Sequence, residues 1–257
     1  QRIVCKSFKG DSIVEMFPFL KSLKTNNLRF HGREATNTGA ARFSIHPTAD
    51  MNIMHNGEIN NIKSLRIYLS GNQLFRDFLN WQGQASLEDV LNQFSDTAIF
   101  SMYLSFQFCN GISIEDTLCH SFQPNHISYT KGFVAEGPAT IMVSHANEFF
   151  LVNDSQGQRP AYLHVIKNDS DQIVAYRVGS VSGIDTPLDG DWKKVQVTPG
   201  VVKKLIAIKD EAGQTVHFEM TDLLPAKHSP SFQLPDFNRQ SHSDLTGLEP
   251  SQRLHAA

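Results

Sequence analysis

Cysteine is scarce in this sequence: Cys5, Cys109 and Cys119 stand at irregular spacing among 257 residues. That number and spacing suit neither a disulfide framework nor a zinc site, and they point to a reducing, cytoplasmic setting. A basic surplus is lacking as well, since 23 Lys and Arg against 26 Asp and Glu leave a net charge of −3. Without clustered basic residues, neither nucleic acid nor a membrane surface is expected as a partner. Long apolar runs are missing too. The longest, Ala98 to Cys109, is interrupted by Ser101, Ser105 and Gln107 and falls short of the roughly 20 residues that span a bilayer. No charged-then-apolar leader is read at the start. The chain opens on Gln1 without Met and enters a strand-like run, Arg2-Ile3-Val4-Cys5, as a piece cut from something longer would.

What is present is an ordinary globular composition, 40% apolar before glycine is counted, with enough length for a buried core. Residues 2–8 and Leu28 to Phe30 read as strands, and a short helix carrying Ile13, Met16 and Phe17 is limited by Pro18. The polar run His31 to Thr38 reads as a loop, and a further loop follows through His46-Pro47. Helical spacing then runs from Ile62 to Leu69. Ser86-Leu87-Glu88-Asp89 is a helix start. A strongly apolar helix follows Ser95-Asp96-Thr97, with Ile99, Met102, Tyr103 and Phe106 on one face, and Ile114 to Phe122 reads as another helix. Strands take over at Ala139 to Ser144 and Phe149 to Asn153, flanking a hairpin turn. They continue at Tyr162 to Lys167, Ile173 to Val178, Lys194 to Val197, Val201 to Lys209 and Thr215 to Met220. After Asp222, scattered Pro, Ser, His and Gln predict a linker or the edge of another domain. Strands, then helices, then strands give an α+β fold of two sheets with helices packed outside.

Three polar islands fall at junctions between these elements: Arg33 to Asn37, Asn56-Gly57 and Asp96. Asn56-Gly57 alone reads as a tight turn. It also ends an apolar run, and there the Asn56 amide and the Gly57 N–H offer two neutral donors, as an oxyanion hole requires. Arg33 alone suits a solvated or capping role, and Asp96 alone a helix N-cap. Together, a guanidinium and a carboxylate would take the two charged ends of an amino acid, and Thr36 would add a hydroxyl.

These islands occur in a distinctive order. His31-Gly32-Arg33-Glu34-Ala35-Thr36-Asn37-Thr38 is followed by His46-Pro47, His55-Asn56-Gly57-Glu58-Ile59-Asn60 and Ser95-Asp96-Thr97. Glu136-Gly137-Pro138-Ala139, Asp154-Ser155-Gln156-Gly157-Gln158-Arg159-Pro160 and Pro199-Gly200 come after them. This series resembles the class II glutamine amidotransferases, and among them the amidotransferase domain of the glutamate synthase large subunit. The resemblance implies the four-layer αββα sandwich of N-terminal-nucleophile hydrolases over residues 1–221, incomplete at the N-terminus, with 222–257 as a linker or the start of a further domain. It implies glutamine hydrolysis through a cysteinyl thioester, with ammonia passed to a synthase domain. By position, Arg33 would hold the α-carboxylate of glutamine and Asp96 its α-amino group. Asn56 and Gly57 would form the oxyanion hole, Thr36 and Asn37 would line the pocket, and 154–160 would be structural.

The family's nucleophile is an N-terminal cysteine, whereas this chain opens on Gln1. Cys5 falls too close to Arg33 to take that place, and Cys109 and Cys119 are expected to be buried and inert. The catalytic cysteine is therefore expected outside this sequence, with the isolated chain inactive. FMN and an iron–sulfur cluster are expected only in the downstream synthase region. Glu34 in place of an aromatic, and Ser180 where glutamate is common, keep two other readings open: an inactive amino-acid-binding or interaction module, and the amidotransferase domain of another synthase, such as an N-methylglutamate-forming one.

Overall fold

The computed structural model describes residues 18–21, 46–48, 51–81, 87–88, 94–122, 133–180 and 190–223. The chain divides into two compact units, residues 1–44 and 45–257. In the first, the described part is a 3₁₀ turn, Pro18–Lys21. The strands expected at 2–8 and 28–30, the loop carrying Arg33, Thr36 and Asn37, and Cys5 lie outside the described residues, as does the expected linker beyond 223.

In the second unit nine strands join in one antiparallel sheet. They are β1 (His46–Thr48), β2 (Met51–Gly57), β3 (Ala139–His145), β4 (Glu148–Asn153), β5 (Tyr162–Lys167), β6 (Ile173–Gly179), β7 (Lys193–Val195), β8 (Val202–Lys209) and β9 (Thr215–Leu223), in the order β1-β2-β3-β4-β8-β9-β6-β5-β7. The helices are α1 (Ile62–Ser70), α2 (Gln73–Trp81), α3 (Asp96–Cys109) and α4 (Ile114–Phe122). Beyond these, Leu87 and Glu88 are helical, at the expected helix start.

Period-two alternation sends each inner strand's side chains to two different cores. Met51, Ile53, Ile141, Val143, Phe150 and Val152 pack with the helices. Met54, Met142, Phe149 and Leu151 pack with Leu163 and Val165 of β5 and Ile173 of β6. Both faces of β2, β3 and β4 are thus covered. The second core shows that the sheet folds over itself. From β4 to β6 the order takes three steps, about 14 Å if flat, yet the Phe149 and Tyr176 rings lie 5.4 Å apart. The fold is narrowest where β6 meets β9, at the single pair Ile173↔Phe218. The result is α+β, with helices, an inner sheet portion and an outer one. Two separate sheets are replaced by one continuous hydrogen-bonded order among the described residues, where the expected four-layer αββα sandwich is not seen.

Helix α3 is the hub. The expected single apolar face underestimates it, because residues from Ile99 to Gln107 are buried all round, as a helix enclosed by other elements must be. Ser95 caps it, its Oγ accepting from Ala98 N at 3.2 Å, so Asp96 is the first helical residue and not the N-cap. Helix α4 is anchored through Glu115, in its first turn, which bonds Lys204 of β8; Lys204 also bonds Glu148 of β4 at 2.7 Å. Burial alone pulls Lys204 down, but the hydrogen bonds and charges of Glu115 and Glu148 outweigh it and hold the ammonium above its ordinary value.

Candidate functional site

Strand β2 runs three residues beyond the apolar Met51 to Met54, so that Asn56 and Gly57 lie in the ladder, opposite Thr140 and Ala139. Alternation places Asn52, Met54 and Asn56 on the face between the two sheet portions and His55 on the helix face. Asn56 Nδ2 donates to the Ser180 carbonyl at the end of β6, at 2.9 Å. One of its two N–H groups thereby fixes the amide across the two portions.

The backbone beyond Gly57 is held just as tightly. Glu58 N–H reaches Pro138 O at 2.9 Å and Asn60 N–H reaches Glu136 O at 2.7 Å. Because antiparallel bonding alternates, Gly57, one residue before Glu58, turns its own N–H away from β3. Gly57 has φ +133°, and a β-carbon there would lie 1.8 Å from the Pro138 carbonyl oxygen, so this crossing admits only glycine. Asn61 completes the clamp, its Nδ2 donating to Val134 O at 2.8 Å and its Oδ1 accepting from Glu136 N at 3.0 Å.

Asp96 meets the same loop from α3. Its Oδ2 accepts from Ile59 N at 3.0 Å, and its Oδ1 accepts from Thr97 N at 2.7 Å and Thr97 Oγ1 at 3.3 Å. The carboxylate sits at the positive end of a 14-residue helix, where negative charge is stabilised. Its side chain is 19% exposed. A carboxylate accepts about four hydrogen bonds, so one position on Oδ2 remains for a further donor. Thr97 Oγ1 also lies 2.8 Å from Nδ1 of the buried His55.

Asp96 therefore reaches the loop just past Gly57 on the helix side of β2, while the Asn56 side chain faces the other sheet portion. Arg33, Thr36 and Asn37 lie outside the described residues. The segment after Asp154 is built as a structural turn. The Asp154 Oδ1 accepts from Gln156 N and Gln158 N, and its Oδ2 from Arg159 N and Ala139 N, at 2.9–3.3 Å. Cys109 and Cys119 are half-buried, less enclosed than expected, and burial pushes the Cys109 thiol up, away from nucleophilic use. Among the described residues no three His, Cys, Asp or Glu gather as a metal site, and no helix is long and apolar enough to cross a membrane. His55, Asn61 and Thr97 were not singled out by the sequence reading. Alternation along β2 puts His55 on the helix face, but nothing local says that Thr97 waits there.

No protein-family model matches the chain, and no curated protein does. Among the solved structures that match, three illustrate a partial likeness. Glutamine phosphoribosylpyrophosphate amidotransferase from B. subtilis, complexed with ADP and GMP, aligns over 76% of this chain and 34% of its own at 17% identity, with a TM-score of 0.44. A glutamine aminotransferase class-II domain protein from Silicibacter pomeroyi aligns over 70% of this chain and 71% of its own, at 14% identity and a TM-score of 0.41. The allosteric regulatory enzyme of purine biosynthesis aligns over 84% of this chain and 39% of its own, at 16% identity and a TM-score of 0.47. The chain thus spans little more than a third of the first and third of these proteins. At these scores the likeness is one of outline, over part of each molecule.

Proposed function

We propose that this chain is a glutamine amidotransferase domain whose ligand sits at the end of β2. The observation that carries the reading is the bond between Asp96 and Ile59. It ties a carboxylate with one spare acceptor position to the loop two residues beyond the donors Asn56 and Gly57. In this reading Asp96 takes the α-ammonium of glutamine, and Asn56 and Gly57 take the amide oxygen. Arg33, with Thr36 and Asn37 lining the pocket, is assigned the α-carboxylate on motif order.

The chemistry is acyl transfer. A thiolate adds to the amide carbon, and the carbonyl oxygen becomes an oxyanion held by the Asn56 amide and the Gly57 N–H. The amide nitrogen takes up the proton that the thiol gave up, the C–N bond breaks and ammonia departs, leaving a thioester. Water adds to the thioester, and glutamate and the thiol are released. Cys109 cannot supply the thiolate, since it closes the helix that Asp96 opens, about 20 Å away at 1.5 Å per residue. Cys119 is turned to the Leu223 carbonyl. The nucleophile is therefore assigned outside the described residues. On motif order the finer reading is a glutamate synthase-like enzyme of the cytoplasm, whose synthase domain receives the ammonia and carries FMN and the iron–sulfur cluster. An N-methylglutamate-forming synthase is the alternative acceptor.

A second reading, glutamine binding without hydrolysis, is favoured by one observation: the Asn56 amide already donates to Ser180 O. Calorimetry and ammonia release separate the two. Asp96→Asn should weaken glutamine binding at least tenfold, the range of a hydrogen bond to a charged group. Unchanged affinity would remove Asp96 from the site. If the chain releases ammonia, Asn56→Ala should lower turnover by about two to three orders of magnitude, and Cys5→Ala shows whether Cys5 is the nucleophile. Binding with no ammonia release supports the second reading.

A further inference from the structure

We infer that His55 and Thr97 form a directional hydrogen-bond relay that sets Asp96 for the ammonium group of the ligand. This rests on the reading of Asp96 given above. The pieces are the 2.8 Å contact of His55 Nδ1 with Thr97 Oγ1, the 3.3 Å bond from Thr97 Oγ1 to Asp96 Oδ1, and a His55 Nδ1 that lies 3.9 Å from Asp96 Oδ2.

A hydroxyl has one proton to give. If Thr97 spends it on Asp96, its oxygen must accept from His55, which requires the proton on Nδ1. If Thr97 spends it on His55, Asp96 Oδ1 keeps only the Thr97 backbone N–H. The first arrangement uses every donor once and places an N–H, an O–H and a carboxylate in series. It also leaves the free position on Oδ2 for the ligand. His55 is buried on the helix face of β2 with its side chain 1% exposed, so the relay is shielded from water and its order is fixed by the fold. His55 and Thr97 touch no ligand atom in this scheme. They are positioning residues, acting through Asp96.

The test compares two ligands, L-glutamine and 4-carbamoylbutanoate, which is glutamine without its α-amino group. The wild-type chain should bind glutamine at least tenfold more tightly. Thr97→Val and His55→Phe should reduce that preference about five- to tenfold, the value of one hydrogen bond, by weakening glutamine alone. Thr97→Ser should restore it. Equal weakening of both ligands, or no change in their ratio, would overturn the relay while leaving the amidotransferase reading in place. A wild-type chain that does not discriminate between them overturns the reading of Asp96 and the relay with it. Should Thr97→Val or His55→Phe fail to fold, nitrogen-15 NMR of the wild-type imidazole decides: the proton is expected on Nδ1, and a proton on Nε2 alone overturns the relay.

Discussion

Burial decides the chemistry of Tyr103. Its hydroxyl accepts from Phe133 N at 3.2 Å and from Gln107 Nε2 at 3.3 Å, within a group of rings that includes Phe100 and Phe133. Desolvation dominates, and the phenol is pushed up to about 12 from its ordinary 10. The native state therefore keeps a proton that the unfolded chain releases. Its contribution to stability is complete below pH 10 and is lost as pH rises through about 12, at up to about 1.4 kcal/mol per pH unit between the two. Denaturant unfolding across that window should show the decline, and Tyr103→Phe should remove that component of it. A wild-type profile no steeper than the variant's would refute the assignment. Asp154 makes the complementary point at the same scale. A carboxylate with backbone donors on both oxygens is a staple for a turn, which is why a conspicuous acidic motif there needs no ligand.

Among the helices, α2 has no counterpart in the sequence expectations, although its signal is present, just as strand β1 replaces the loop expected at His46-Pro47. Leu74, Phe75, Phe78 and Leu79 form a helical stripe, and Asn72 precedes it. In the structure the Asn72 side chain accepts from Phe75 N at 3.2 Å and its carbonyl from Arg76 N at 3.3 Å, the two bonds of an N-cap. Phe75 and Phe78 then meet Phe106 of α3 edge to face. Asn72→Ala should cost about 1 kcal/mol of unfolding free energy without altering ligand affinity, since α2 takes no part in the site. A loss of glutamine binding in that variant would show that α2 bears on the site after all. The limits of other elements are easier to read than those of this helix. Tyr162–Lys167 and Ile114–Phe122 fall where periodicity puts them, while β9 extends three residues past Met220 because pairing with β8 continues to Leu223. Such pairing is a property of two strands and is invisible in either alone.

At the scale of the whole molecule, binding and folding are one equilibrium. A ligand at one hundred times its dissociation constant adds about 2.7 kcal/mol to the unfolding free energy. Glutamine should therefore raise the thermal midpoint of the wild-type chain, and the same concentration should stabilise Asp96→Asn far less. An equal rise in both would mean that glutamine binds elsewhere. The α+β class and most element positions were legible in the residues, and so was the nomination of Asn56, Gly57 and Asp96 as candidates. Each of these depends on short-range quantities: period, caps, turn chemistry and the order of motifs along the chain. Tertiary structure alone decided that the sheet is continuous and folds over, that Asn56 is moored to Ser180, and that Thr97 joins His55 to Asp96. Those contacts connect residues 124, 42 and 1 positions apart. The two longer ones depend on which strand lies beside which and on the helix that crosses them, and no local preference along the chain encodes that.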